Sequence, residues 1–448
     1  MKYLTLVLLT LTTGCSLAPD AVVPTDRVPQ QWRESAATEV SPQATRWSDY
    51  GSAELERLIT LALANNTDIA AALARVQQAR ANTVIAGQGL YPAISASGSA
   101  NRTTTDSNGT STTSDASNAS LAVSYELDLW QRNRSLRDAA EWNTLATEQD
   151  RAALTILVAS EVGRLYTGIL AFDARVAVAE RNLAYAQDVL RITELRYREG
   201  AISGLERAQQ RTNVANTQAA IIALKNQRTL FFNQLALVCG LAPADLSLTA
   251  DDALLAMRVP AVQVQVPWAL LARRPDIAAA EARLRAANKN IGVARANALP
   301  SLSLGLNAGV VGNPSGTVLG LAASFFAPIF QGGALQAEID RSTAARDEQT
   351  ALYQGVLLVA FREVEDALNN LDAATTRREA FKKAADEAQK AEAIARARFD
   401  AGSIDYTTLI QTQNARLQAD DSYYAAIQAQ LAAHIDLVRA LGGTTDTP

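Results

Sequence analysis

Catalytic and metal chemistry have little to work with in this chain. Its 448 residues hold one histidine, His434, and two cysteines, Cys15 and Cys239. A single imidazole makes neither a nucleophile–base triad nor a His-built metal site. Cysteines this far apart form no disulfide framework and no zinc-ligand spacing. There is no basic cluster, and the formal net charge is −5, which argues against nucleic acid as a partner. The glycine-rich piece Gln331-Gly332-Gly333 lacks the Lys and Ser/Thr of a phosphate-binding loop. With no nucleophile–base set in view, the chain is not read as an enzyme, and no cofactor is expected beyond a covalent lipid. Aromatic residues are scarce too, at 6%, so the 48% hydrophobic share rests mainly on Ala and Leu. That composition favours long, closely packed helices.

The N-terminus opens Met1-Lys2-Tyr3, runs apolar from Leu4 to Leu11 and ends Thr12-Thr13-Gly14-Cys15. A short basic start, an apolar stretch and small residues form an export signal. The run is too short for a bilayer-spanning helix, which needs ~20 apolar residues. Gly14-Cys15 reads as a bacterial lipoprotein cleavage point, with signal residues 1–14 and Cys15 as the lipidated first residue. Thr12 departs from the usual Leu of that motif, and Leu11 sits one place early. Lipid chains anchor a protein without making a channel. Residues 15–50 carry Pro19, Pro24, Pro29 and Pro42 and are expected to be extended, with Trp32 and Trp47 pinning them to the body.

Two halves follow, 51–245 and 246–448. Asn65–Pro92 aligns without a gap on Arg273–Pro300, with 11 of 28 positions identical. Alanine bias does not explain the matching Asp68/Asp276, Arg75/Arg283, Asn82/Asn290 and Pro92/Pro300. A second stretch aligns Arg196-Tyr197-Arg198-Glu199-Gly200 on Arg398-Phe399-Asp400-Ala401-Gly402, then Gln209 on Gln411 and Gly240 on Gly442. A repeat this long is the duplication of a whole half, not a solenoid unit. Each half predicts a helix ending near proline, a hairpin, a long proline-free helical stretch, a glycine tip and a return helix. The long helices fall at 133–240 and 334–441. A stretch from 133 to 199 reaches on the order of 100 Å at 1.5 Å per residue. Leu357, Phe361, Val364, Leu368 and Leu371 keep heptad spacing, a coiled-coil seam.

The hairpins fall at about 93–130 and 301–326. Ser301 to Val310 alternates polar or small with apolar residues, as one-sided strands do. Ile94 to Ala100 and Leu121 to Leu129 repeat the pattern. Between them the Thr/Ser-rich stretch Arg102–Asn118 reads as a solvated extracellular loop. Glu126 and Asp128 fall on the polar face and are assigned to a wet lumen. Strands of about ten residues suit a tilted membrane span, but four strands leave open edges, which cannot stand in lipid. The barrel must be shared between copies. Two copies give about eight strands, a barrel filled by side chains; three suit a duct.

The residues now reach a family. Cys15-Ser16-Leu17-Ala18-Pro19, Trp47 with Leu55 to Asn65, and Asp68-Ile69 carry the resemblance. So do Tyr125-Glu126-Leu127-Asp128-Leu129-Trp130, Arg273-Arg274-Pro275-Asp276-Ile277, Pro328-Ile329-Phe330-Gln331-Gly332-Gly333 and Arg398-Phe399 with Gly402. Over the whole mature chain the sequence resembles the lipoprotein outer-membrane factors of resistance-nodulation-division efflux pumps, the NodT branch of the TolC family. The resemblance implies a mainly α fold with a membrane β-barrel portion, four strands and long antiparallel coiled-coil helices per chain. It implies a homotrimer in outer-membrane lipid whose twelve-helix tunnel descends into the periplasm. It further implies a periplasmic adaptor protein met by the tips (Arg196, Tyr197, Gly200; Arg398, Phe399, Gly402) and an inner-membrane transporter beyond it.

Family gates carry an acid early in each return helix. Glu206, beside Arg207, matches in the first half. The second half departs: Gln411 and Asn414 stand where relatives hold Asp and Arg, and Asp405 is the nearest acid. The lock is then either hydrogen-bonded or built from Glu206, Asp405 and Arg207; the bland alternative makes both acids helix-start charges favoured by the dipole. A type I protein-secretion duct is the competing transport reading, and a poreless periplasmic scaffold the competing structural one. His434 and Cys239 are expected to be buried structural groups.

Overall fold

The computed structural model describes residues 17–19, 22–24, 28–33, 46–248, 253–261, 267–312 and 316–444. Cys15 and the signal segment lie outside the described residues. The first half runs α1 (Ala53–Asn65), α2 (Thr67–Ala86), β1 (Ala93–Ser107), β2 (Thr110–Leu127), α3 (Arg132–Arg198) and α4 (Gly204–Val238). The second runs α5 (Leu270–Arg273), α6 (Pro275–Asn297), β3 (Ser301–Gly312), β4 (Gly316–Phe326), α7 (Ala334–Asp400) and α8 (Tyr406–Ala440). The duplication is exact in the lengths of its long helices: α3 and α7 each have 67 residues, α4 and α8 each 35. Part of α3 is long and apolar enough to cross a membrane, but 67% of that stretch is buried inside the protein, as befits a core helix.

The chain packs as two compact units that cut across the repeat. Among the described residues, the first holds 17–19, 22–24, Leu73–Asp150 and those within Asp276–Val356, and with them the sheet. The sheet order is β1-β2-β3-β4, antiparallel throughout. In this unit α6 buries Ile277, Leu284 and Ile291 at seven-residue spacing. Against it lies the N-terminal segment. Asn288 donates to the Pro19 carbonyl at 2.9 Å and Arg295 to that of Leu17 at 3.0 Å. A Cβ on Gly292 would come within 3.0 Å of Ala18.

One expectation fails here. Arg102–Asn118 is not a loop: β1 and β2 stay paired through it to Ser107↔Thr110 and turn on Asn108-Gly109 alone. Both turn residues have positive φ, 50° and 83°, the requirement of a two-residue I′ turn that favours Asn-Gly. Thr is also a good strand residue. Cross-strand partners reinforce the ribbon: Thr104 with Thr113 at 3.1 Å, and Arg102 bidentate on Asp115 at 2.7 and 2.9 Å. Since β3 ends opposite Ser117, the ribbon continues alone for about 20–25 Å at 3.3 Å per residue.

The second unit holds Val28–Ala72, Arg151–Pro275 and Leu357–Pro448. Its core gathers Tyr50, Leu55, Leu58, Val162, Ile169, Leu235 and Ile435. Trp47 stacks on Tyr50 (centroids 5.6 Å apart), and Trp32 meets Phe361 edge-on at 6.2 Å, so both tryptophans are buried anchors. The duplication recurs as a pair of joints. Asn66 donates to the Val238 carbonyl at 2.8 Å; at the matching place Arg274 donates to Ala440 at 3.1 Å and pairs with Glu363 at 2.7 Å. These bonds satisfy last-turn carbonyls that the return helices cannot satisfy themselves.

His434 and Cys239 are fully buried, as expected. Burial pushes the Cys239 thiol up to about 11, so it stays an inert thiol. His434 Nδ1 is hydrogen-bonded to the Tyr50 hydroxyl at 2.7 Å. Burial lowers its pKa from 6.5 to about 4, so the folded imidazole is neutral. The unfolded chain takes up a proton that the fold refuses, and stability is therefore lost as pH falls from about 6.5 to about 4. The full loss is about 3 kcal/mol, from 1.36 kcal/mol per pKa unit. Melting of the detergent-solubilised protein at pH 7 and pH 4.5 checks it: the acid-induced drop should be smaller in His434→Asn than in the parent, and equal drops would refute the assignment.

Candidate functional site

Three places carry the functional geometry: the sheet faces, the sheet–helix junction and the helical tips. The strand register sorts most of the sheet into an apolar and a polar face. One face collects Ile94, Leu121, Val123, Leu304, Leu306 and Leu321, on rows set by Ile94↔Val123, Val123↔Leu306 and Leu306↔Leu321. Many of these stay exposed, Leu321 at 84% and Ile94 at 69%. A broad exposed apolar face on a sheet is a lipid-facing surface. The opposite face carries Ser97, Ser120, Ser124, Ser303, Asn307 and Ser324 instead. Strands β1 and β4 are the two edges.

At the junction, Glu126 lies on the polar face opposite Ser303. Arg132, the first residue of α3, donates to it from Nε at 3.2 Å and from Nη2 to both oxygens at 3.0 Å. Asp128 lies just past the end of β2 at Leu127, so the strand register does not place it. Its two oxygens accept the amides of Asn133 and Arg134 at 2.9 and 3.0 Å. The carboxylate therefore caps α3, where orphan amides and the dipole favour an anion.

The tips are matched turns. Gly200 and Gly402 have φ of 72° and 69°. Ala201 N–H donates to the Arg196 carbonyl and Ser403 N–H to that of Arg398, both at 2.8 Å. Each is a Schellman end, for which glycine is suited. The return helices then start on caps. Ser203 and Glu206 form a reciprocal capping box, with Glu206 Oε2 accepting from Ser203 N at 2.7 Å. Asp405 accepts the Thr408 amide at 2.7 Å, and hydrogen bonds from Thr408 hold its carboxyl below the usual carboxylate range. Both acids expected at a gate are thus engaged within their own helix starts. Arg207 lies over the Tyr197 ring at 4.2 Å. Gln411 and Asn414 are exposed.

Contacts between the two hairpins come from elsewhere. Arg196 sits over the Phe399 ring at 5.3 Å, and Arg396 over the Tyr185 ring at 4.4 Å. Phe399 packs on Tyr406, centroids 6.1 Å apart. The buried Tyr406 hydroxyl donates to Gln210 Oε1, and Gln210 Nε2 donates to the Ala186 carbonyl. Burial raises the Tyr406 phenol above its ordinary range. The sequence reading found Arg196 and Phe399 but missed Tyr185, Gln210, Arg396 and Tyr406. These are joined only by packing between halves.

A four-stranded sheet with a broad exposed apolar side and two open edges, in a chain of paired long helices, is the fold of a TolC-like outer-membrane channel. The chain belongs to the outer membrane efflux protein family, whose profile matches twice, over residues 58–241 and 266–443. It is 33% identical to the pyoverdine export outer membrane protein OpmQ of Pseudomonas aeruginosa, over 99% of this chain and 97% of that one. It is 32% identical to the toluene efflux pump outer membrane protein TtgC of Pseudomonas putida, over 96% and 93%. Its fold is similar to that of the open-state MtrE outer membrane channel of Neisseria gonorrhoeae, with TM-score 0.88 at 25% identity over 97% and 100% of the two chains. The protein is an outer-membrane efflux channel, the exit duct of a tripartite pump, with a helical periplasmic tunnel.

Proposed function

We propose that three copies close one twelve-stranded barrel, anchored by lipid on Cys15. The tips at Gly200 and Gly402 meet a periplasmic adaptor, and an inner-membrane resistance-nodulation-division transporter supplies the small-molecule cargo. The observation that carries this reading is the four-stranded sheet with an exposed apolar side and unpartnered edges at β1 and β4. Unpaired backbone groups in lipid cost several kcal/mol each, so the edges must pair with other copies. Relatives of similar identity are named for pyoverdine export and for toluene efflux. Cargoes that differ so much in polarity support a passive duct whose selection lies upstream. Cysteines on β1 (Ser95, Ser97 or Ser99) combined with one on β4 (Ala322 or Ser324), in a Cys239→Ala background, test the assembly. The expected result is reducible cross-links up to a covalent trimer on denaturing gels; a chain that stays monomeric at every pairing contradicts it.

For the mouth, the hydrogen-bonded form of the lock is the better supported. The clasp joins Arg196 to Phe399, Arg396 to Tyr185 and Tyr406 to Gln210. Its parts are cation–π and neutral contacts, and Glu206 and Asp405 serve helix caps beside it.

A further inference from the structure

Among the described residues, Glu126 is the one charged side chain that the four strands put on the polar sheet face. The rest is mostly hydroxyls, amides and small residues, with Val311, Val318 and Phe326 among them. Its partner Arg132 is unusual in position. A cation in the first turn of a helix opposes the dipole, and α3 has no acid in that turn. Two carboxylates offset it: Asp128 takes the helix amides, and Glu126 takes the guanidinium through three hydrogen-bond distances of 3.0–3.2 Å. Glu126 and Arg132 are each about one third exposed, at 32% and 34%, so both charges are still felt by solvent beside them.

We propose that Glu126 and Arg132 form a charge-compensated ring at the base of the barrel lumen, which leaves the barrel segment of the pathway indifferent to the sign of the permeant. The inference rests on the three-copy duct reading, which turns one pair into three around the axis. Rings of like charge select ions; a ring of closed pairs presents dipoles instead. Anionic and cationic cargo then cross the barrel on equal terms, and any preference for charge arises in the tunnel or beyond it.

Reversal potentials of single channels in a KCl gradient test this, with parent, Arg132→Gln, Glu126→Gln and the double variant compared. Arg132→Gln leaves a ring of bare carboxylates and should shift the cation-to-anion permeability ratio several-fold upward. Glu126→Gln should shift it the other way, and the double variant should return to the parent value. Both single shifts should shrink in molar salt, where the Debye length falls from about 10 Å at 0.1 M to about 3 Å. Single variants that conduct with an unchanged ratio, or shift it in the same direction, overturn the proposal. A purely structural pair would not move the ratio in opposite directions. Should the single variants fail to assemble, Ser303→Cys keeps both charges in place. That thiol, opposite Glu126, should react with cationic and anionic thiosulfonates at matched rates after correction for their reactivity with a free thiol. A marked preference for either sign overturns the proposal. A parent trimer that conducts nothing overturns the duct reading itself, and this inference with it.

Discussion

Gly240→Ala should destabilise the helical unit by about 2–5 kcal/mol, while the matched tip change Gly200→Ala should cost only about 1–2 kcal/mol. Both glycines close a long helix with nearly the same φ, 69° and 72°. A side chain in that region costs about 1–2 kcal/mol by itself. The surroundings separate them. A Cβ on Gly240 would lie 2.2 Å from the Asn65 carbonyl oxygen and 2.6 Å from its carbon, at the end of α1; at Gly200 nothing lies within 4 Å. Backbone at the end of a packed helix cannot swing away as a side-chain tip can, so overpacking adds about 1–3 kcal/mol. Gly442 should fall between them, since its Cβ would meet the Arg273 carbonyl oxygen at 3.0 Å. Thermal melting in detergent ranks the three. Equal losses at Gly240 and Gly200 would show that conformation alone decides, and that the joint is looser than described.

Removing the clasp should open the mouth. Phe399→Ala deletes the ring that meets both Arg196 and Tyr406, and Tyr406→Phe deletes only the hydroxyl that donates to Gln210. A cation–π contact contributes about 0.5–2 kcal/mol, and a net hydrogen bond about 0.5–1.5 kcal/mol. Together they amount to about 1–3.5 kcal/mol per chain, a shift of roughly 5- to 300-fold in the closed-to-open ratio at about 1.4 kcal/mol per decade. Single-channel conductance of the double variant should rise several-fold over the parent. The gain should be similar at low and high salt, because neither element depends on a screened ion pair. Glu206→Ala/Asp405→Ala discriminates between the readings. Near-parental currents assign both acids to their caps; currents that rise more than in the clasp variant assign the lock to the acids.

The residues that a reader of the sequence could place are those governed by local chemistry or by self-similarity. The repeat gave both halves because Asp68/Asp276, Pro92/Pro300 and Gly240/Gly442 mark helix starts, strand starts and helix ends whose geometry is local. The alternating strands were legible for the same reason. One misreading had a visible signal, and one capping role was also there to be seen. Asn108-Gly109 announces a two-residue hairpin turn, but the run of Thr and Ser around it reads as loop on polarity alone. Ser203 with Glu206 three residues on is a capping-box spacing, and it accounts for an acid that family resemblance assigns to a gate. Strand parity reaches only to Leu127 and does not extend to Asp128. The clasp was illegible: Tyr185 and Arg396 lie in different halves, and nothing in their neighbours' sequence says that they will meet. Cys15 carries the anchoring expectation from sequence alone.

The central claim is that separate chains share one membrane barrel that opens into a helical duct. Its most direct test is current through the purified, cross-linked trimer in a planar lipid bilayer. Discrete, long-lived conductance steps that survive cross-linking of β1 to β4 are the predicted result. A folded trimer that inserts into lipid yet stays silent, in the parent and in the clasp variant alike, would contradict the claim.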